Sequence, residues 1–116
     1  MAVITRLAGT TGTAGSGGDD GLATAAQLNL PTGLAAMADG GFLIADLNNQ
    51  VVRKVSAAGI ITRVAGTTGT AGSGGDDGPA TDAQLDNPYG LAVTADGGFL
   101  IADTYNQVVR KVEPIG

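Results

Sequence analysis

Two acidic pairs in glycine-rich segments are the side chains of this sequence best suited to bind a ligand. Asp19 and Asp20, and again Asp76 and Asp77, lie in the segment GSGGDDG. Adjacent carboxylates among glycines offer oxygen ligands to a hard cation such as Ca²⁺. The segment lacks the alternating acidic positions and the final glutamate of an EF-hand loop, and a long connection needs glycines in order to turn. We therefore expect a structural role, with an adventitious cation as the alternative.

A second acidic pattern is associated with arginine and occurs once in each half of the chain. Asp46 and Asp103 end strand-like segments, and Arg53 and Arg110 follow them after seven residues. A carboxylate at the end of a strand can accept hydrogen bonds from loop N–H groups, with a nearby arginine as a charged partner. The pattern repeats, whereas a catalytic site is ordinarily needed once. We predict that these four residues are structural.

The composition argues against catalysis. The sequence has no histidine, no cysteine and a single glutamate, which removes the usual zinc ligands and the best general base. Neither a Gly-x-Ser-x-Gly elbow nor a phosphate-binding loop with lysine is present. We predict no catalytic residue, no cofactor and no enzymatic activity.

Charge and hydropathy limit the partners and the location. The net charge is −5 and the pI is near 4.2, which disfavours nucleic acid and anionic membranes, since both bind mainly through Lys and Arg. No segment approaches the 18 apolar residues of a membrane span, and the start MAVITRLAG does not resemble a signal peptide. We expect a soluble protein, cytoplasmic if expressed as given, whose natural compartment is unknown.

The chain as a whole is a tandem repeat. Residues 60–116 repeat residues 3–59, with 43 of the 57 paired positions identical. A period of this length is typical of solenoids, propellers and other repeat arrays. Such close identity indicates a chain that is recently duplicated, consensus-built or designed. Each repeat is too short for comfortable independent stability, so we expect the repeats to stabilise one another.

Each repeat is predicted to contain a leading strand, a long loop and a three-stranded meander. The leading strand is β-branched and bounded by glycine, and the loop of the second repeat includes one helical turn at 79–85. Asp39 and Asp96 precede Gly-Gly pairs and are predicted to form the hairpin turns, because Asp and Gly tolerate positive φ. The first repeat (3–59) has its strand at 3–8, loop at 9–32 and meander at 33–55; the second (60–116) has them at 60–65, 66–89 and 90–112.

These segments resemble the NHL repeat family of β-propellers. The resemblance is carried by GLAVTADGGFLIADTYNQVVRKV, preceded by GDDGPATDAQLDNPYG and followed in the first repeat by an ITRVAG-like strand. It implies an all-β fold, a β-propeller with two four-stranded blades per chain. The glycine-led strand is then nearest the axis and the ITRVAG-type strand outermost. The first repeat departs from the pattern where Leu47-Asn48 replaces Thr104-Tyr105 and Leu30-Pro31-Thr32 replaces Asn87-Pro88-Tyr89.

This strand order leaves one blade incomplete. Residues 33–55 take 60–65 as their outer strand, whereas 90–112 are followed by none and 3–8 have no blade of their own. We expect the N-terminal strand of one copy to complete the C-terminal blade of the next, as in β-strand addition. Such head-to-tail contacts close into rings or grow into filaments, and propellers carry 4 to 8 blades. A ring is expected, a six-bladed homotrimer first and an eight-bladed tetramer second.

Two functions are compatible with these features. The first is structural self-assembly, in which the partner is a second copy of the chain and neither nucleic acid nor membrane takes part. The second is a binding module whose acidic loops or axial channel capture a cation or a basic protein.

Overall fold

The structure, a computed structural model, describes residues 1–114, so the last two residues of the predicted second repeat lie outside it. Its regular elements are short β-strands and 3-10 turns. The strands are β1 (Gly21–Leu22), β2 (Pro31–Ala36), β3 (Phe42–Asp46), β4 (Val51–Val55), β5 (Ile60–Ala65), β6 (Pro88–Val93), β7 (Phe99–Asp103) and β8 (Val108–Val112). The 3-10 turns are Ala23–Ala25, Leu47–Asn49, Ala80–Asp82 and Thr104–Asn106.

The strands form two antiparallel sheets, which confirms the prediction of an all-β fold. The first sheet has the order β1-β5-β4-β3-β2 and the second has the order β6-β7-β8. Strands β2 to β5 and β6 to β8 are meanders in which consecutive strands pair, as expected when short turns connect antiparallel strands, and β1 adds to the outer edge of β5. In β4, Val52, Arg53, Lys54 and Val55 pair with residues of β5. On its other edge, β8 pairs with no strand of residues 1–114.

The first strand of each meander begins earlier than predicted. We expected loops over 9–32 and 66–89, but β2 starts at Pro31 and β6 at Pro88, and the first loop also contains β1. Pro31 pairs with Asp46, and the register shifts before Leu34. Proline is tolerated at the start of a strand, where its missing N–H is not needed by the ladder, and a bulge absorbs the shift. The helical turn predicted at 79–85 is the 3-10 turn Ala80–Asp82.

The N-terminal segment, defined as residues 3–8, is not a strand within the single chain. Residues 1–7 are exposed and carry no regular structure. The strand predicted here depends on pairing with a second copy, so it stays a prediction.

The core lies between the two sheets and on the far face of the first. The cluster between the sheets consists of Leu43, Val52 and Ala65 of the first sheet with Leu85, Phe99 and Ile101 of the second repeat. The second cluster contains Ile44, Val55 and Ile61, on the opposite face of the first sheet, with Ala23 and Ala26. Neighbouring residues such as Leu43 and Ile44 point to opposite faces of a strand, so one sheet supplies both clusters.

The sheets approach each other most closely at β2 and β6. A Cβ at Gly33 would lie 2.2 Å from the carbonyl oxygen of Tyr89. Only glycine permits this distance between the two backbones, which explains why a glycine lies within the strand.

Candidate functional site

A buried ion pair holds the first sheet and its loop together. Asp46 and Arg53 are both almost completely buried, and Asp46 Oδ2 lies 3.3 Å from Arg53 Nη1. The backbone N–H of Asn29 donates to Asp46 Oδ1 at 2.7 Å, and Asn49 Nδ2 donates to Oδ2 at 2.7 Å. The carboxylate at the end of β3 thus joins β4, the following 3-10 turn and the preceding loop, because each of these supplies a donor to it.

Arg53 also fixes the acidic loop of the first repeat. Its Nη1 donates to the carbonyl oxygen of Gln27 at 2.5 Å, and its Nη2 donates to that of Gly17 at 3.0 Å. Asp19 Oδ1 accepts from Arg53 Nε at 3.0 Å. The guanidinium therefore lies in a cradle of backbone carbonyls and two carboxylates.

The first aspartate of each acidic pair has an arginine as its partner. Asp19 is paired with Arg53 and Asp76 with Arg110. Asp20 and Asp77 have φ values of 69° and 68°, and both are exposed. Across residues 1–114, no group of three or more His, Cys, Asp or Glu side chains could hold a metal ion. The acidic loop thus closes onto an arginine, and its first carboxylate is already neutralised by a guanidinium.

The second repeat has the same network with a less protected arginine. Arg110 Nη1 lies 3.3 Å from Asp103 Oδ2 and Nη2 lies 2.9 Å from Asp76 Oδ1. The backbone N–H of Asp86 donates to Asp103 Oδ1 at 2.7 Å. However, the Asp76 side chain is 76% exposed, whereas that of Asp19 is 31% exposed. The two networks have the same hydrogen bonds, but the network of the second repeat is more exposed to solvent.

The hairpin aspartates accept hydrogen bonds within their turns and pair with lysines. The N–H of Gly41 donates to Asp39 Oδ1 at 2.9 Å, and Lys54 Nζ donates to Oδ2 at 2.6 Å. The Lys54 ammonium, followed by the Gly41 N–H, lowers the pKa of Asp39 below its ordinary value. Lys111 likewise lowers the pKa of Asp96, and Asp96 raises the pKa of Lys111. These exposed pairs favour the charged forms and stabilise the turns.

The contact between the two sheets, which we call the internal interface, combines the apolar cluster with polar contacts. Gln50 Nε2 donates to Asn87 Oδ1 at 2.9 Å, and the Asn87 N–H donates to Gln50 Oε1 at 2.7 Å. The Gly69 N–H donates to the carbonyl oxygen of Asn49 at 3.0 Å. Sequence reasoning missed the pair of Gln50 and Asn87, because two amides 37 residues apart leave no local pattern.

Every residue of the buried apolar cluster has an identical counterpart in the other repeat. The counterparts of Leu43 and Val52 are Leu100 and Val109, which we call the C-terminal face. The remaining counterparts form what we call the N-terminal face: Ala8 for Ala65, Leu28 for Leu85, Phe42 for Phe99 and Ile44 for Ile101. Because strand side chains alternate between faces, the two named faces lie on the outer sides of the two sheets.

The second sheet is open to solvent along β8. Val108 and Val109 are 49% and 69% exposed, whereas their counterparts Val51 and Val52 are 2% and 0% exposed. A groove of about 650 Å³ runs along β8 and is lined by Val108, Val109, Val112, Leu85 and the Gly75–Gly78 loop. At the corresponding edge of the first sheet, β5 pairs with β4. The groove thus lies where the second sheet has no equivalent of β5 among residues 1–114.

The N-terminal segment is attached to the first repeat in the way that β5 is attached to the second. Arg6 Nη1 donates to the carbonyl oxygens of Gly9 and Thr24, as Arg63 does to those of Gly66 and Thr81. The segment VITRLA differs from the β5 sequence IITRVA at only two positions. Its Val3 and Ile4 are 81% and 98% exposed. A β5-like sequence therefore projects from the body without a sheet to join.

No family model matches the chain. Among curated proteins it is similar to the chloroplastic protein SUPPRESSOR OF QUENCHING 1 of Arabidopsis thaliana, 33% identical over 97 residues, which cover 84% of this chain and 9% of that protein. It is also similar to teneurin-4 of Homo sapiens, 35% identical over 104 residues, which cover 77% of this chain and 4% of that protein. The chain thus spans less than a tenth of either relative.

Solved structures from Bacteroides thetaiotaomicron share the fold. A structural genomics protein of unknown function superposes with a TM-score of 0.74 at 29% identity, over 84% of this chain and 24% of that one. An auxiliary nutrient binding protein superposes with a TM-score of 0.76 at 23% identity, over 90% of this chain and 27% of that one. These neighbours are propeller-like, so the chain has an all-β, propeller-like fold. Within residues 1–114, no helix combines the length and apolar character needed to cross a membrane.

Proposed function

We propose that the chain is a non-catalytic, two-blade NHL-type unit that assembles head to tail with copies of itself into a closed propeller. The observation that carries this proposal is the repetition of the buried cluster: the six residues packed between the two sheets recur as the C-terminal and N-terminal faces. The C-terminal face of one copy, packed against the N-terminal face of the next, would reproduce the packing between the two sheets of a single chain. A head-to-tail interface of this kind is heterologous and closes when the rotation between copies completes a ring.

The N-terminal segment would complete the C-terminal blade in a register set by the first sheet. There, Val52 pairs with Ala65, Arg53 with Arg63, Lys54 with Thr62 and Val55 with Ile61. Transferred by the repeat, the pairs between copies are Val109 with Ala8, Arg110 with Arg6, Lys111 with Thr5, and Val112 with Ile4. The incoming strand would fill the groove along β8 and form hydrogen bonds with the free edge of β8. Without such pairing, that edge could associate with other chains.

Burial of the exposed aliphatic side chains supplies the driving force. Val3, Ile4, Leu7, Val108 and Val109 are all about half exposed or more. Full burial of such a side chain contributes about 1.5–3 kcal/mol, so these five, scaled by their exposed fractions, contribute roughly 5–11 kcal/mol per contact. The cost of association is about 4–15 kcal/mol. The hydrophobic gain is therefore of the size needed to hold copies together.

The number of copies follows from the number of blades in a closed propeller. Propellers carry 4 to 8 blades, so two blades per chain allow a dimer, a trimer or a tetramer. We propose the six-bladed trimer, with the eight-bladed tetramer as the second possibility. Light scattering after size exclusion, at two well-separated concentrations, tests this directly. A mass of three or four times 11.3 kDa identifies the ring, and a monomer at both concentrations rejects the proposal.

Crosslinking tests the register as well as the closure. The variant Thr5→Cys/Lys111→Cys places one cysteine on each predicted partner, and paired residues on antiparallel strands lie within disulfide reach. Oxidation should give covalent oligomers whose size stops at the number of copies in the ring. Thr5→Cys/Val109→Cys, which is out of register, is the matched control and should crosslink poorly. Equal crosslinking of both variants would contradict the register.

The second candidate function is capture of a cation or a basic protein by the acidic loops. It is favoured by the net charge of −5 and by the 76% exposure of the Asp76 side chain. Calorimetric titration with Ca²⁺, with and without Asp76→Asn/Asp77→Asn, tests cation binding. Heat that disappears in the variant supports it, and the absence of heat from the unmodified chain excludes it for Ca²⁺.

A further inference from the structure

We propose that Leu30 makes the interface between copies weaker than the internal interface, so that the ring opens between chains at Leu30 and Gln107. The inference rests on the head-to-tail assembly proposed above. It follows from comparing each polar contact of the internal interface with its counterpart between copies.

The amide pair of Gln50 and Asn87 is the contact that changes. Gln50 Nε2 donates to Asn87 Oδ1, and Asn87 N–H donates back to Gln50 Oε1. Between copies, Gln107 replaces Gln50 without change, but Leu30 replaces Asn87. Leu30 keeps a backbone N–H to donate to the glutamine, yet it has no side-chain acceptor. One of the two hydrogen bonds therefore has no counterpart between copies.

A hydrogen bond made by a hydroxyl group is also altered. Thr32 Oγ1 donates to the carbonyl oxygen of Tyr89 at 3.0 Å. Between copies the side chain of Tyr89 takes the place of Thr32, and its hydroxyl lies at the far end of an aromatic ring. It cannot reproduce a hydrogen bond made by a hydroxyl on Cβ.

The backbone contact and the buried apolar cluster are preserved. The Gly69 N–H donates to the carbonyl of Asn49, and the counterparts Gly12 and Asn106 can form the same backbone hydrogen bond. The six buried residues are identical on both sides, but three partly buried neighbours differ: Thr94, Leu7 and Ala36 replace Met37, Val64 and Val93. The polar part of the difference is concentrated at positions 30 and 89, and Leu30→Asn changes that part alone.

Leu30 also occupies a backbone conformation that suits asparagine better. Its φ is 57°, as is that of Asn87, and the left-handed region is tolerated by Asn and strained for Leu. Leu30→Asn would thus supply the missing acceptor and relieve local strain together. Leu30→Gly relieves the strain without supplying the acceptor, which separates the two effects.

The test measures dissociation of the assembled chain on dilution, by sedimentation velocity or mass photometry. Restoring one hydrogen bond strengthens each contact about 5-fold, which lowers the concentration at half-dissociation about 10-fold for either a trimer or a tetramer. Leu30→Asn should show this shift, and Leu30→Gly should not. Asn87→Leu is the matched control: it removes the same bond from the internal interface, so it should destabilise the chain while leaving contacts between copies unchanged.

The outcomes separate this inference from the function on which it rests. Assembly of the unmodified chain with no shift in Leu30→Asn, or an equal shift in Leu30→Gly, overturns the role of Leu30 and leaves the ring intact. A monomer for the unmodified chain and for Leu30→Asn at every concentration rejects both.

Discussion

Substitution of methionine for Arg53 tests how far the first sheet depends on its buried ion pair. Arg53 and Asp46 are 1% and 0% exposed, with 3.3 Å between their charged atoms. Methionine fills much of the same volume but leaves the Asp46 carboxylate buried without a positive partner. Removal of one member of a buried pair costs about 3–5 kcal/mol, because the other charge is left uncompensated. The lost donations to Gln27 and Gly17 act in the same direction.

This loss is large relative to the whole stability of the chain. At about 0.05–0.15 kcal/mol per residue, a chain of this length is stable by roughly 6–17 kcal/mol. With an m-value of about 1–2 kcal/mol/M in urea, Arg53→Met should lower the unfolding midpoint by about 1.5–5 M. Circular dichroism at one fixed protein concentration is the appropriate assay, since any assembly makes the midpoint depend on concentration.

Two further variants make the test specific to charge. Asp46→Asn/Arg53→Met removes both charges, so it should be more stable than Arg53→Met alone, with a coupling of about 1–3 kcal/mol. Arg110→Met alters the identical network in the second repeat, where the arginine is 11% exposed, and should cost less. A midpoint for Arg53→Met within about 0.5 M of the unmodified chain, or a double variant no more stable than the single one, would refute the reasoning.

The remaining predictions concern a close backbone contact and acid stability. Gly33→Ala places a Cβ 2.2 Å from the Tyr89 carbonyl and should destabilise the chain by about 1–3 kcal/mol in urea unfolding. Gly90→Ala is the matched control: its added Cβ would lie 3.7 Å from Ala102 Cβ, so it should have little effect on a single chain, and equal losses would contradict this. Lys54 lowers the pKa of Asp39, so the pair's stabilisation is present above the unfolded-state pKa of about 3.9 and is lost as pH falls through the lower folded-state value. An NMR titration of the Asp39 carboxyl should show that lower midpoint, and Lys54→Met should raise it; an unchanged midpoint would exclude the lysine as the cause.

The local features of the fold could be predicted from the sequence because they depend on neighbouring residues. The Asp39 turn needs only an Asp-Gly pair between two strands, and its geometry is visible within three residues. The pairing of Asp46 with Arg53 spans seven residues and follows from a hairpin that brings their strands together. In both cases the spacing along the chain fixes the spacing in space.

The longer-range contacts could not be predicted because no pattern connects their residues. Asp19 meets Arg53 across 34 residues of mostly irregular chain. The sequence indicated only that the acidic loop is solvated and flexible enough to turn. The strand start at Pro31 was missed for a different reason: its pairing with Asp46 depends on a bulge before Leu34, which no local pattern indicates.

The two repeats show that identical strand sequences are not buried to the same extent. Val52 is 0% exposed and Val109 is 69% exposed, although both lie in the same five-residue strand sequence, VVRKV. The difference arises from the neighbouring structure: β5 and the second sheet cover Val52, and nothing within residues 1–114 covers Val109. In repeat proteins, stability is approximately the sum of each repeat's own contribution and the contributions of its contacts with its neighbours. Within residues 1–114 the second sheet lacks the outer strand that β5 supplies to the first, and its arginine network is correspondingly more open to water.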